Sequence, residues 1–139
     1  MRFLLTTWTL LGAIVACSAQ VVSFEDPYRL AGRWELTSTD MPIALRRGKY
    51  VVIESRTIKI KRDCNEVTLG YSVKGDELSA TPISATLVTC YPPNIFADES
   101  RLVYGAFLHS KYQIDGDVLR LFSPKDSAFD YSLEFHRIR

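Results

Sequence analysis

The sequence predicts a mainly β (α+β) fold: a small antiparallel curved sheet or cracked barrel of about eight strands, with one helix packed across it. Three observations predict it. Short segments along most of the chain alternate apolar and polar residues with period two. Lys74-Gly75-Asp76 and Asp115-Gly116-Asp117 stand between such segments as hairpin turns. A single stretch, about 95–109, repeats its apolar residues at helical spacing. Many strands and one helix do not suit a parallel sheet, in which each pair of strands needs a long crossover.

The first block is read as a leader rather than as structure. Met1-Arg2 is a short positive opening, and Phe3 to Val15 is mostly apolar, has no acidic residue and is too short for a spanning helix. It ends in Ile14-Val15-Ala16-Cys17, which resembles the lipobox of bacterial lipoprotein signals. The resemblance implies a signal peptide over 1–16, cleaved before Cys17, and a lipid, palmitate included, attached to Cys17. An ordinary secretory signal cut nearby, for example after Ala19, is the alternative. Ser18 in place of Asp implies, by the sorting rule of enteric lipoproteins, the outer membrane facing the periplasm. The expected organisation is a signal peptide 1–16, a tether 17–29 and one folded domain 30–139.

The elements follow in order. Leu30, Gly32, Trp34 and Leu36 alternate in an opening strand, with Trp34 toward a core. A loop around Pro42 and Gly48 leads to a β-branched strand, Tyr50 to Ile53. In Thr57 to Lys61, Ile58 and Ile60 share one face, and Lys59 and Lys61 the other. Val67 to Lys74 turns at Gly75 into Glu77–Ala80, and Ile83 to Val88 reads as a separate strand. Asn94 is placed to cap the helix, whose apolar stripe includes Ile95, Leu102, Val103, Ala106 and Phe107. Glu99 falls on that stripe, where a carboxylate has to be paired, hydrogen-bonded or at the rim. Lys111 to Ile114 and Val118 to Phe122 form the next hairpin. Phe129, Tyr131, Leu133 and Phe135 point one way along the last strand.

Charge and cysteines narrow the classes of function. Without Arg2 the basic and acidic side chains balance, so nothing global argues for nucleic acid. Locally, residues 46–62 carry Arg46, Arg47, Lys49, Arg56, Lys59, Lys61 and Arg62 against Glu54 alone. That is a solvated strand face or a contact for anionic lipid or a protein. If Cys17 carries lipid, Cys64 and Cys90 remain as an even pair in an oxidising compartment. A disulfide between them would contribute about 3 kcal/mol. A redox role is the other reading, without the close motif spacing it normally has. No metal-ligand spacing, phosphate loop or nucleophile–histidine pairing is visible, so neither a catalytic residue nor a cofactor is expected.

Several of these residues together resemble the META domain, the HslJ-type heat-shock protein family. Leu30, Gly32, Trp34 and Leu36 resemble its L-x-G-x-W-x-L opening; Cys64-Asn65, Gly70, Tyr71, Gly75-Asp76 and Leu78 resemble its central motif. Thr89-Cys90, then Glu99, Leu102, Leu108 and Tyr112, then Gly116 to Leu121 follow in the family's order. Asp63 stands where the family usually has Gly, and the loop after Cys90 is rich in proline. The resemblance implies a β-rich cracked barrel in an envelope protein with no known catalytic residues. It also implies stress- or drug-tolerance roles and a likeness to lipoproteins that pilot other proteins to the outer membrane.

The expected function is therefore a membrane-anchored, non-catalytic envelope lipoprotein binding an envelope protein or an apolar ligand, in a groove or at an exposed strand edge. The alternative is a periplasmic inhibitor or adaptor acting through charged loops. Trp34, Asn65, Glu99, Lys59 and Lys61 are the candidate binding residues.

Overall fold

The computed structural model describes residues 27–43, 45, 50–62, 64–89 and 97–139. Cys17, Cys90, Arg46, Arg47, Lys49 and Asn94 lie outside the described residues, as does the expected signal peptide. The described chain begins with a four-residue helix, α1 (Pro27–Leu30), three residues inside the expected tether. Four strands follow: β1 (Gly32–Thr39), β2 (Tyr50–Ile53), β3 (Thr57–Arg62) and β4 (Asn65–Lys74). Then come β5 (Glu77–Ala85), α2 (Ala97–Leu108), β6 (His109–Asp115), β7 (Val118–Phe122) and β8 (Ser132–Ile138). Each strand pairs antiparallel with the next, and β8 returns to pair with β1, so the sheet closes on itself in a ring. The expected fold class holds, and its helix is α2.

The alternation in each strand decides what fills the ring. Trp34 and Leu36, Val51 and Ile53, Ile58 and Ile60 turn inward and are buried. Leu119, Leu121, Leu133 and Phe135 meet them from the other side with no exposure at all. Eight strands enclose a space that side chains can fill, and here they do. Phe107 of α2 enters it and meets Phe135 at a ring-centroid distance of 5.6 Å.

The two ends of the ring differ. One carries the turns at 54–56, 74–76 and 115–117 together with α1. The Trp34 indole N–H donates to Leu30 O at 2.8 Å, which holds α1 against the start of β1. At the other end, the first turn of α2 faces a small cavity that Leu36, Tyr50, Val51, Ile60 and Phe135 also line. From there α2 packs on β3, β5, β6 and β7.

Two expectations change. Glu77–Ala80 and Ile83–Val88 were expected as separate strands, but β5 runs unbroken from Glu77 to Ala85. Leu69 pairs with Pro82 and Thr68 with Ser84, so Ile83 is the extra residue of a β-bulge. The bulge absorbs the irregularity that Pro82 signals in sequence. Proline is tolerated there because β6 pairs only with Glu77–Ser79, leaving Pro82 a ladder on one side among the described residues. The last strand begins at Ser132, not at Phe129. Phe129 is 75% exposed; Ser127 Oγ donates to its carbonyl at 2.8 Å and holds it in a turn outside the sheet.

Candidate functional site

The residues singled out in the sequence are scattered around the ring. Trp34 is fully buried. Arg137 of β8 lies over its ring, 4.2 Å from the centroid. The same guanidinium donates to Arg29 O at 2.8 Å and to Ala31 O, and its Nε lies 3.3 Å from Asp117 Oδ1. Trp34 therefore belongs to a structural clamp on α1, out of reach of a surface ligand. Gly32 makes the clamp possible. Its φ is +148°, a conformation other residues adopt only with strain, and a Cβ there would collide with Arg137 Nη1. The sequence reading missed Arg137, because nothing local marks a basic residue on the last strand as a cover for a tryptophan.

Lys59 and Lys61 share the outer face of β3 in different settings. Lys59 Nζ lies 2.8 Å from Glu54 Oε1. Hydrogen bonds from Lys59 and then Thr57 hold the Glu54 carboxyl below its ordinary value, and the same partner raises Lys59. Lys61 sits at the rim of the cavity that Glu99 also lines, so the structure brings these two candidates to one place. Glu99 is 4% exposed. Across the ring, β8 carries a second polar cluster on its outer face. Glu134 is held below its ordinary value by hydrogen bonds from His136, at 3.1 Å, and Arg120, at 2.9 Å.

Asn65 has the clearest structural task. Its side-chain amide donates to Val88 O at 2.9 Å, and its Oδ1 accepts the Val88 N–H at 2.7 Å. One side chain thus extends the β4–β5 ladder past the end of β5. Thr86 reinforces it: its N–H donates to Glu66 O at 2.9 Å, and its Oγ1 accepts the Glu66 N–H at 2.7 Å. Cys64 Sγ lies 3.6 Å from Val88 O. Cys90 lies outside the described residues, and the expected Cys64–Cys90 bridge with it. Asn65→Ala should cost about 1 kcal/mol, since two solvent-exposed hydrogen bonds to the Val88 backbone go with it. Chemical denaturation gives that value, and hydrogen exchange at the Val88 amide should quicken in parallel; an unchanged Val88 amide would show the clamp to be idle.

The clamp has a surface consequence. Ile83 is 62% exposed, Leu87 94% and Val88 60%. Ile83 is aimed outward by the bulge and lies over Gly70, where a Cβ would come within 3.1 Å of its Cδ1. These apolar side chains are therefore presented on hydrogen-bonded backbone. They lie at the end of the ring opposite α1. The strand-edge reading meets an obstacle here, because a proline and a bulge are devices that blunt an edge against strand addition.

Inside, the described residues leave little room. A cavity of about 20 Å³ lies under the first turn of α2. No group of three or more potential metal ligands occurs among the described residues. No helix among them is long and apolar enough to cross a membrane.

No family model and no curated relative matches the chain. The likeness to the META domain therefore rests on the motif residues of the sequence alone. Among solved structures, the chain is similar to a protein from Burkholderia xenovorans determined by NMR. The two share 16% identity over 81% of this chain and 88% of that one, with a TM-score of 0.58. At that identity the likeness speaks for the fold.

Proposed function

We propose that this chain is a lipid-anchored lipoprotein of the bacterial envelope, attached through Cys17, and that it holds an envelope protein in a non-catalytic, pilot- or chaperone-like role. The observation that carries the binding role is the ordered display of Ile83, Leu87 and Val88. Side chains this exposed and apolar favour association when covered, and a fixed backbone loses little freedom on binding. A protein partner fits better than a lipid chain inside the ring, because a cavity of about 20 Å³ has no space for an alkyl chain. A protein also fits better than the lipid of the anchoring leaflet. The tether reaches the ring at α1, and the apolar side chains lie at its far end. The adaptor reading through Lys59 is the weaker one, since Lys59 would have to leave Glu54.

The test places a photo-crosslinking residue at Leu87 of the full chain in cells. An adduct with an exported protein is expected in the membrane fraction. Val88→Asp should remove it while the protein still folds, and Cys17→Ser should release the chain from the membrane. The absence of an adduct at position 87, or one indifferent to Val88→Asp, would sink the binding role. Membrane retention of Cys17→Ser would sink the anchor.

A further inference from the structure

The cavity beneath α2 is distinct from the display at the end of β5, and its lining is unusual for a barrel interior. Most of its wall is apolar, formed by Leu36, Val51, Ile60 and Phe135 of the strands and Val103 of α2, with Tyr50 and Lys61 at its rim. Two consecutive polar residues of α2 close it, Glu99 and Ser100, each 4% exposed. Ser100 Oγ is buried and accepts or donates no hydrogen bond within the protein. A buried hydroxyl in that state costs free energy of desolvation with nothing in return. The usual remedies for a serine on a helix are solvent or a carbonyl four residues back; the first is excluded by burial and the second is not made.

Size then selects the occupant. A water molecule needs roughly 10–15 Å³ of this kind of volume and two or more polar partners. The cavity offers about 20 Å³, a hydroxyl and a carboxylate. An alkyl group of useful length is too large, and a dry cavity is favoured only where the walls are wholly apolar.

We propose that this cavity is a hydration site for one ordered water. The Ser100 hydroxyl donates to the water oxygen, and the water donates to the Glu99 carboxylate. The water thus satisfies a side chain that the fold leaves buried, and it fixes the first turn of α2 over the mouth of the ring. It also accounts for polar residues at adjacent positions on the face where helical spacing calls for apolar ones. Glu99 and Ser100 act as a pair around a solvent molecule, a structural role independent of any partner at Leu87.

Crystal structures of the full chain and of Ser100→Ala, at a resolution that places ordered water, test this directly. In the unaltered protein, density for one water is expected within hydrogen-bond distance of Ser100 Oγ and a Glu99 carboxylate oxygen. Ser100→Ala, which keeps helix propensity, should lose that water. In solution, the Ser100 amide should show a nuclear Overhauser effect to a long-lived water, absent in Ser100→Ala. A dry cavity in the unaltered protein, or a water that stays in place in Ser100→Ala, would overturn the proposal.

Discussion

Replacing Arg137 with alanine is expected to cost about 2–4 kcal/mol of folding stability, a large share of what a domain of this size has. The residue makes three kinds of contact at once. It stacks on Trp34, donates to the carbonyls of Arg29 and Ala31, and meets Asp117. A cation–π contact is worth about 0.5–2 kcal/mol depending on how far it is desolvated, and the Arg137 guanidinium is partly so; hydrogen bonds from a charged donor are worth about 1.5–3 kcal/mol. These contributions overlap, so their sum is an upper bound. The Asp117 pair adds little, because its carboxylate is half-exposed and screened by solvent. Arg137→Lys should recover less than half of the loss, since an ammonium has no planar fork to reach two carbonyls while covering a ring. In protein produced without residues 1–16, which hold Trp8, Trp34 is the one tryptophan, and its fluorescence in chemical denaturation reports the clamp itself. Gly32→Ala should be comparably damaging in the presence of Arg137 and milder in Arg137→Ala. The difference between the two measures the collision, and what remains measures the backbone strain at φ +148°. If the two substitutions prove additive, Gly32 and Arg137 are not coupled and the account of the clamp is wrong.

Phe107→Ala is expected to cost about 3–5 kcal/mol, the usual range for removing a fully buried aromatic ring. Phe107 has no exposure and meets Phe135 at 5.6 Å with a 54° tilt, so its loss opens a cavity in the middle of the filled ring. The damage should be directional. Phe107 sits in the last turn of α2, next to the short β5–β6 seam. Amides of β6 and of the first part of β5 should therefore exchange faster than those of the long β4–β5 ladder. Phe107→Leu keeps much of the volume and should cost less than half as much. Equal effects of the two substitutions would show that α2 is held by something other than this insertion.

The candidate site was legible in the sequence only in part. Asn65 stood out beside Cys64, but its partner Val88 is 23 residues away and carries no local mark. Glu99 stood out as a carboxylate on an apolar stripe. Ser100 did not, although it lies on the same stripe, because a small uncharged hydroxyl is far less conspicuous there than a carboxylate. Leu87 and Val88 read as strand residues of ordinary kind; their exposure depends on where β5 stops pairing with β6. Lys59 and Lys61 were read correctly as neighbours on one face, yet only the structure separates the lysine held by Glu54 from the one at the cavity rim.

By itself, the sequence determined the mainly antiparallel fold class, the hairpins at Gly75 and Gly116, the inward faces of β1, β3 and β8 and the single amphipathic helix. These follow from periods of two and 3.6 residues and from turn chemistry, which act over a few positions. Tertiary structure decided the closure of β8 on β1, the bulge that makes one strand of Glu77–Ala85, the exclusion of Phe129 from the sheet and the cover that Arg137 provides for Trp34. Each of these is a contact or register choice between distant parts of the chain: Arg137 and Ala31 are 106 residues apart. No local pattern encodes such a pairing. It is settled when burial, ladder registration and steric room are satisfied together around the ring.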